Sequence, residues 1–164
     1  TAYHTHTYPL APSGNRQLCV DRAGFHADGT AYISGPTLAP QLRPLAELGL
    51  TDHAKTAVGI DPLLTDGDAC IAPSSAPYAW HGTQADFTWA SPVKAEGVLI
   101  TPVYGEAVSG RIVLNGTMSA PFALGAEQQP GQSVWLAFAE TEVTQMQVIF
   151  DQEAAVGEIR ILGK

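Results

Sequence analysis

The stretch LLTDGDACIAPSSAPYAWHGTQADFTW, residues 63–89, decides how this chain is read. It joins an acidic turn, Asp66-Gly67-Asp68, to an aromatic segment running from Tyr78 to Trp89. Two carboxylates flanking a glycine suit a hard cation, because the glycine lets the backbone turn back and aim side-chain and carbonyl oxygens at one point. The same residues also build ordinary solvent-facing turns, so the triplet alone leaves both readings open.

Beyond Trp80 the pattern becomes strand-like and stays so. Segments 86–89, 97–103, 110–114, 121–124, 133–139, 144–150 and 158–162 are separated by Gly, Pro, Asn or acidic turns. Within them Val98 and Ile100, Ile112 and Leu114, Val134, Leu136 and Phe138, then Met146, Val148 and Phe150 fall on alternate positions. That period of two sends each set to one side of a sheet, with Thr101, Arg111, Gln145 and Gln147 on the other. Short strands at this spacing with no competing long helix predict an all-β sandwich. Asn115-Gly116 reads as a hairpin turn and, with Thr117, as a glycosylation acceptor.

Upstream, residues 1–40 form a lead rich in Thr, Pro, Gly and Ala, and residues 41–164 form the sandwich domain. Short strands are expected at 17–20 and 30–34, joined by the turn Ala27-Asp28-Gly29-Thr30. Leu42, Leu45, Leu48 and the run His53 to Ala57 predict short helical connectors, broken at Gly49 and capped by Thr51 or Asp52. His4 and His6 share one side of a strand, yet no third metal ligand accompanies them.

With 164 residues and 45% hydrophobic content the chain is long enough for one domain with a proper core. A net charge of -8 argues against nucleic-acid backbones and anionic membrane surfaces as partners. No run approaches the roughly 20 apolar residues of a membrane span, so membrane insertion is not expected. Few Lys and Arg, abundant Ala, Gly, Thr and Pro, and two cysteines fit a secreted, cell-surface or periplasmic protein. Cys19 and Cys70 are expected to pair across a loop of about 50 residues, worth about 4 kcal/mol in the chain-entropy model; two buried free thiols are the alternative. No nucleophile elbow, zinc-protease helix, phosphate loop or dinucleotide fingerprint occurs, which favours binding over catalysis.

The order Leu63-Leu64-Thr65-Asp66-Gly67-Asp68, Trp80, Phe87-Thr88-Trp89-Ala90-Ser91-Pro92, Gly97-Val98-Leu99-Ile100 and Gly157-Glu158-Ile159-Arg160-Ile161-Leu162-Gly163 resembles the discoidin, or coagulation-factor C-type, domains. These share the galactose-binding-like jelly roll with bacterial carbohydrate-binding modules. The resemblance covers about residues 58–164. It implies a structural Ca²⁺ held by Asp66, Asp68 and a closing acid, Glu158, together with backbone carbonyls. The hydroxyl residue that usually follows the acidic loop is replaced by Ala69-Cys70-Ile71, with Ser74 or Ser75 as substitutes.

Sugar rings present C–H groups to aromatic faces while fixed polar side chains bond their hydroxyls. Tyr78, Trp80 and His81 have that mixture, and Tyr104 in a later loop is a second candidate. Arg43 and His53 would supply donors from the connector region. Trp80 also matches a position the resembled family buries, and Trp89 and Trp135 lie within strand patterns, so core packing is expected for all three. The expected function is noncatalytic, lectin-like binding of a glycan or polysaccharide through loops at one end of the sandwich. The alternative is an accessory or scaffolding subunit that docks on other proteins of an extracellular or periplasmic assembly.

Overall fold

The computed structural model describes residues 2–6, 16–20, 22–26, 28–35, 45–70, 77–126 and 131–164. Strands β1 (Ala2–His6) and β2 (Arg16–Val20) pair antiparallel, as do β3 (Arg22–Phe25) and β4 (Ala31–Ser34). Of the expected turn, Asp28 to Thr30 lie in a hairpin connection and Ala27 lies outside the described residues; the strand returning from it pairs with β3 and not with 17–20. Asp28 fixes this turn by accepting the Thr30 amide at 2.8 Å, and Gly29 supplies the positive φ of 86°.

A short helix α1 (Leu45–Leu48) ends at Gly49, whose φ is 65°. The two-residue strand β5 (Thr51–Asp52) leads into a 3-10 turn, His53–Thr56, capped as expected by the Asp52 carboxylate on the Ala54 amide. A second 3-10 turn, Pro62–Leu64, is capped by Asp61 and drops the chain into the acidic loop.

The rest is a jelly-roll β-sandwich made by β6 (Trp80–Pro102), β7 (Val108–Leu114), β8 (Met118–Leu124) and β9 (Val134–Gly163). In the stretches where β6 and β9 pair, partner numbers fall as β6 numbers rise, the antiparallel sense. One layer places β5 beside the end of β9 (Asp52 opposite Leu162), then the second half of β6 (Val98 opposite Ile161), then the start of β9 (Val98 opposite Leu136). The other layer places the first half of β6 beside the middle of β9 (Ala85 opposite Val148), then β7 (Ile112 opposite Val148), then β8 (Ile112 opposite Ala120). The long strands β6 and β9 serve both layers, which is why the seven short segments expected from the alternation merge into four.

Trp80 and Pro102 both stand opposite Val156, so the two ends of β6 meet at one end of the sandwich and its middle turns at the other. Val98, Ile100, Ile159 and Ile161 of one layer and Phe87, Ile112, Leu114, Met146, Val148 and Phe150 of the other fill a common apolar core. Asn115 and Gly116, at φ 49° and 70°, form the expected hairpin turn between β7 and β8. Among the described residues no helix is long and apolar enough to cross a membrane.

Candidate functional site

Because both ends of β6 close on Val156, the loops near it gather residues from distant parts of the chain. His81 stands opposite Ala155, and the Val103 amide donates to the Ala155 carbonyl at 3.0 Å. Tyr104, the next residue, is 49% exposed. The acidic loop reaches the same end, since a Cβ on Gly157 would lie 2.4 Å from the Ala69 carbonyl oxygen. The expected neighbourhood of the acidic bend and the last β-segment is thus formed, and it requires glycine at 157.

Within that end the expected aromatic residues separate. Trp80 is half-buried, its indole lying over Gly82 and 5.9 Å from the Phe150 ring. His81 is exposed. Tyr78 turns inward, its ring stacked on His26 at 3.6 Å and 7°, with its hydroxyl 3.4 Å from an Asp28 carboxylate oxygen. The Thr30 amide holds that Asp28 carboxyl below the usual carboxylate range. His53 lies at the opposite end, where its carbonyl accepts the Trp89 indole N–H at 2.9 Å. Arg43 falls outside the described residues.

Trp89 is buried as expected, but Trp135 is not: it is 46% exposed. The alternation that turns Val134 inward forces its neighbour outward. Trp135 enters β9 opposite Leu99, near the end of β6 that carries Tyr104, and the hydroxyls of Thr101 and Ser133 bond at 2.7 Å beside it. Its six-membered ring lies across Gly97, where an added Cβ would come within 2.3 Å. The signal for this ring was present in the sequence, as a tryptophan one position out of phase with three apolar residues.

The acidic loop is folded around its own backbone. Asp66 Oδ1 accepts the Asp68 amide at 2.8 Å and Asp68 Oδ1 accepts the Cys70 amide at 3.0 Å. Their other oxygens face His26, with Asp66 Oδ2 3.5 Å from Nδ1 and Asp68 Oδ2 3.3 Å from Nε2. Tyr32 donates to the Asp66 carbonyl at 2.9 Å. Burial pushes the Asp66 carboxyl above its ordinary value, and the adjacent Asp68 adds to this. Glu158, buried, accepts from Arg160 Nε at 2.9 Å. Among the described residues no three His, Cys, Asp or Glu side chains converge as a metal-holding group. Of the three acids expected at a cation, Asp66 and Asp68 face the His26 ring and Glu158 is paired with Arg160, while Ser74 and Ser75 lie outside the described residues.

Cys70 is a free, buried thiol, so the expected bridge to Cys19 is not formed. The Cys19 side chain, on β2, lies outside the described residues. Burial, reinforced by the Asp68 and Asp66 charges, pushes the Cys70 thiol up to about 12, which makes it a poor nucleophile in the folded protein.

No protein-family model and no curated protein matches this chain. Solved structures similar to it include carbohydrate-binding modules. A pectin-binding module is 16% identical over 68% of this chain and 87% of its own, at a TM-score of 0.42. The family 32 module of Clostridium perfringens NanJ, solved with galactose, is 15% identical over 71% and 96%, at 0.45. The family 32 module of AlyQ, solved with 4,5-unsaturated mannuronic acid, is 15% identical over 68% and 92%, at 0.43. Each is similar to this chain at low identity, so function has to be read from the chain's own residues.

Proposed function

We propose that this protein is a noncatalytic glycan-binding module, exported from the cell, that takes carbohydrate on exposed rings at the β6-end of its sandwich. The observation that carries this is Trp135. An indole laid against a glycine, with nearly half its surface open to water, is a flat apolar platform that contributes little to the core. A pyranose offers the matching surface, C–H groups on one face and hydroxyls around the rim. Tyr104 is a second exposed ring, in the loop that follows β6, and the exposed His81 is a polar side chain near the end of the sandwich that this loop reaches. The charge of -8 favours neutral glycans over polyuronates.

The test is a glycan array followed by calorimetry on neutral and uronic polysaccharides. Trp135→Ala is expected to weaken binding by at least about tenfold with an unchanged melting temperature, and Tyr104→Ala by less. Silence across a broad panel, or full binding by Trp135→Ala, refutes the reading.

A second reading, docking on other proteins, is favoured by the hairpin. Phe25 and Ile33, 73% and 50% exposed, lie on the face of β3–β4 opposite His26 and Tyr32. If that patch is the working surface, Phe25→Asp with Ile33→Asp abolishes association with a partner and leaves glycan arrays silent before and after.

A further inference from the structure

We propose that the imidazole of His26 closes the acidic loop from within, in the place a divalent cation would otherwise hold, so that the β3–β4 hairpin is the lid of this loop and no metal is required.

Three sets of contacts converge on this assignment. Each ring nitrogen of His26 faces a different carboxylate, Asp66 at 3.5 Å and Asp68 at 3.3 Å. One planar group thus stands between the oxygens that the loop leaves after bonding its own amides, at ion-pair distance and without hydrogen-bond geometry at Nδ1. The ring is also enclosed: it is 7% exposed, Tyr78 covers one face at 3.6 Å, and Tyr32 leans on it at 4.8 Å. Finally, the hairpin uses the loop's backbone as well. Tyr32 Oη bonds the Asp66 carbonyl at 2.9 Å and sits 3.0 Å from where a Cβ on Gly67 would be, so one carbonyl of the loop already has a donor from the hairpin.

The arrangement is held from the hairpin side too. The His26 amide donates to the Thr30 carbonyl and the Gly29 amide to the His26 carbonyl, each at 2.9 Å, which fixes the backbone that carries the ring. Asp28, on the same turn, reaches the Tyr78 hydroxyl. Glu158, the third carboxylate expected at a metal, is bonded by Arg160, whose guanidinium opposes a nearby cation.

The test combines metal dependence with a double-mutant cycle on the full chain. Thermal unfolding is measured with excess EDTA and with saturating Ca²⁺. The melting temperature is expected to be the same in both, and a rise with Ca²⁺ or a fall with EDTA overturns the proposal. His26→Ala is expected to lower it by about 5 °C. Asp66→Ala is expected to lower it less once His26 is already gone. Additive effects, or no effect of His26→Ala, overturn the proposal. Should His26→Ala fail to fold, His26→Gln with Asp66→Asn gives the same cycle with one amide donor kept.

Discussion

The sandwich and the β3–β4 hairpin are held by opposite kinds of contact. The sandwich closes on a continuous apolar cluster from both layers, with Phe87, Ile100, Ile112, Val148 and Ile159 almost entirely out of water. The hairpin does the reverse: it turns Phe25 and Ile33 outward and attaches through an imidazole, two tyrosines and the carboxylates of a glycine turn. Apolar burial is non-directional and spread over many residues, whereas the hairpin's contacts depend on a few atoms in fixed geometry. Conservative changes should therefore be absorbed by one region and felt by the other, except where backbone meets backbone.

The largest effect should come from such a place in the sandwich. A Cβ on Gly110 would lie 2.0 Å from the Ile149 carbonyl oxygen, and both belong to paired strands that have no room to part. Gly110→Ala is expected to cost about 3 kcal/mol, read by denaturant unfolding. Gly97→Ala meets the free end of the Trp135 ring instead and should cost less than about 1 kcal/mol while shifting tryptophan fluorescence. Equal costs for the two would mean that the exposed ring is as fixed as the core.

In the hairpin, Tyr32→Phe removes one hydroxyl, which donates to the Asp66 carbonyl and crowds Gly24 and Gly67. The expected loss is about 1 kcal/mol. Limited proteolysis should show it as faster cleavage within residues 22–35, with the β-sheet circular dichroism unchanged. Loss of the whole sheet signal would show that the hairpin and the sandwich unfold as one unit.

This contrast also explains what was legible in the sequence. Period-two alternation is written into the residues themselves, so the core positions Val98, Ile112, Met146 and Phe150 could be read directly, as could the Asn115-Gly116 turn, and the cap could be narrowed to Thr51 or Asp52. The partner of the acidic loop was not readable, because His26 lies 40 residues before Asp66 and a lone histidine beside Asp28 carries no spacing that points to it. The pairing of β4 with β3 was hidden for a related reason: Arg22-Ala23-Gly24-Phe25 contains a glycine and little β-branching, and tertiary contacts override that weak propensity. Tryptophan in a strand suggests core, although the phase of Trp135 against Val134, Leu136 and Phe138 places it outside.

Asp52 joins the two regimes, and its change to asparagine gives the smallest effect. Its Oδ1 accepts the Ala54 amide and, across the layer, the Ile161 amide, both at 3.2 Å, pinning β5 to the last segment of β9. Burial pushes the carboxyl above its ordinary value of 3.8 despite these two donors. A carboxyl raised in the folded state favours folding while it is protonated, and that advantage is lost as pH rises through 3.8 to the folded value. Asp52→Asn keeps the accepting oxygen and removes the ionisation. Its melting temperature relative to the parent protein should be level or slightly higher at pH 7, and the difference should shrink below pH 3.8. Asp52→Ala, which loses both acceptor contacts, should cost about 1 kcal/mol at either pH. A difference that grows in acid would show the ionised carboxylate to be a net stabiliser, and the seam at β5 would then belong with the hairpin's charge-dependent attachments.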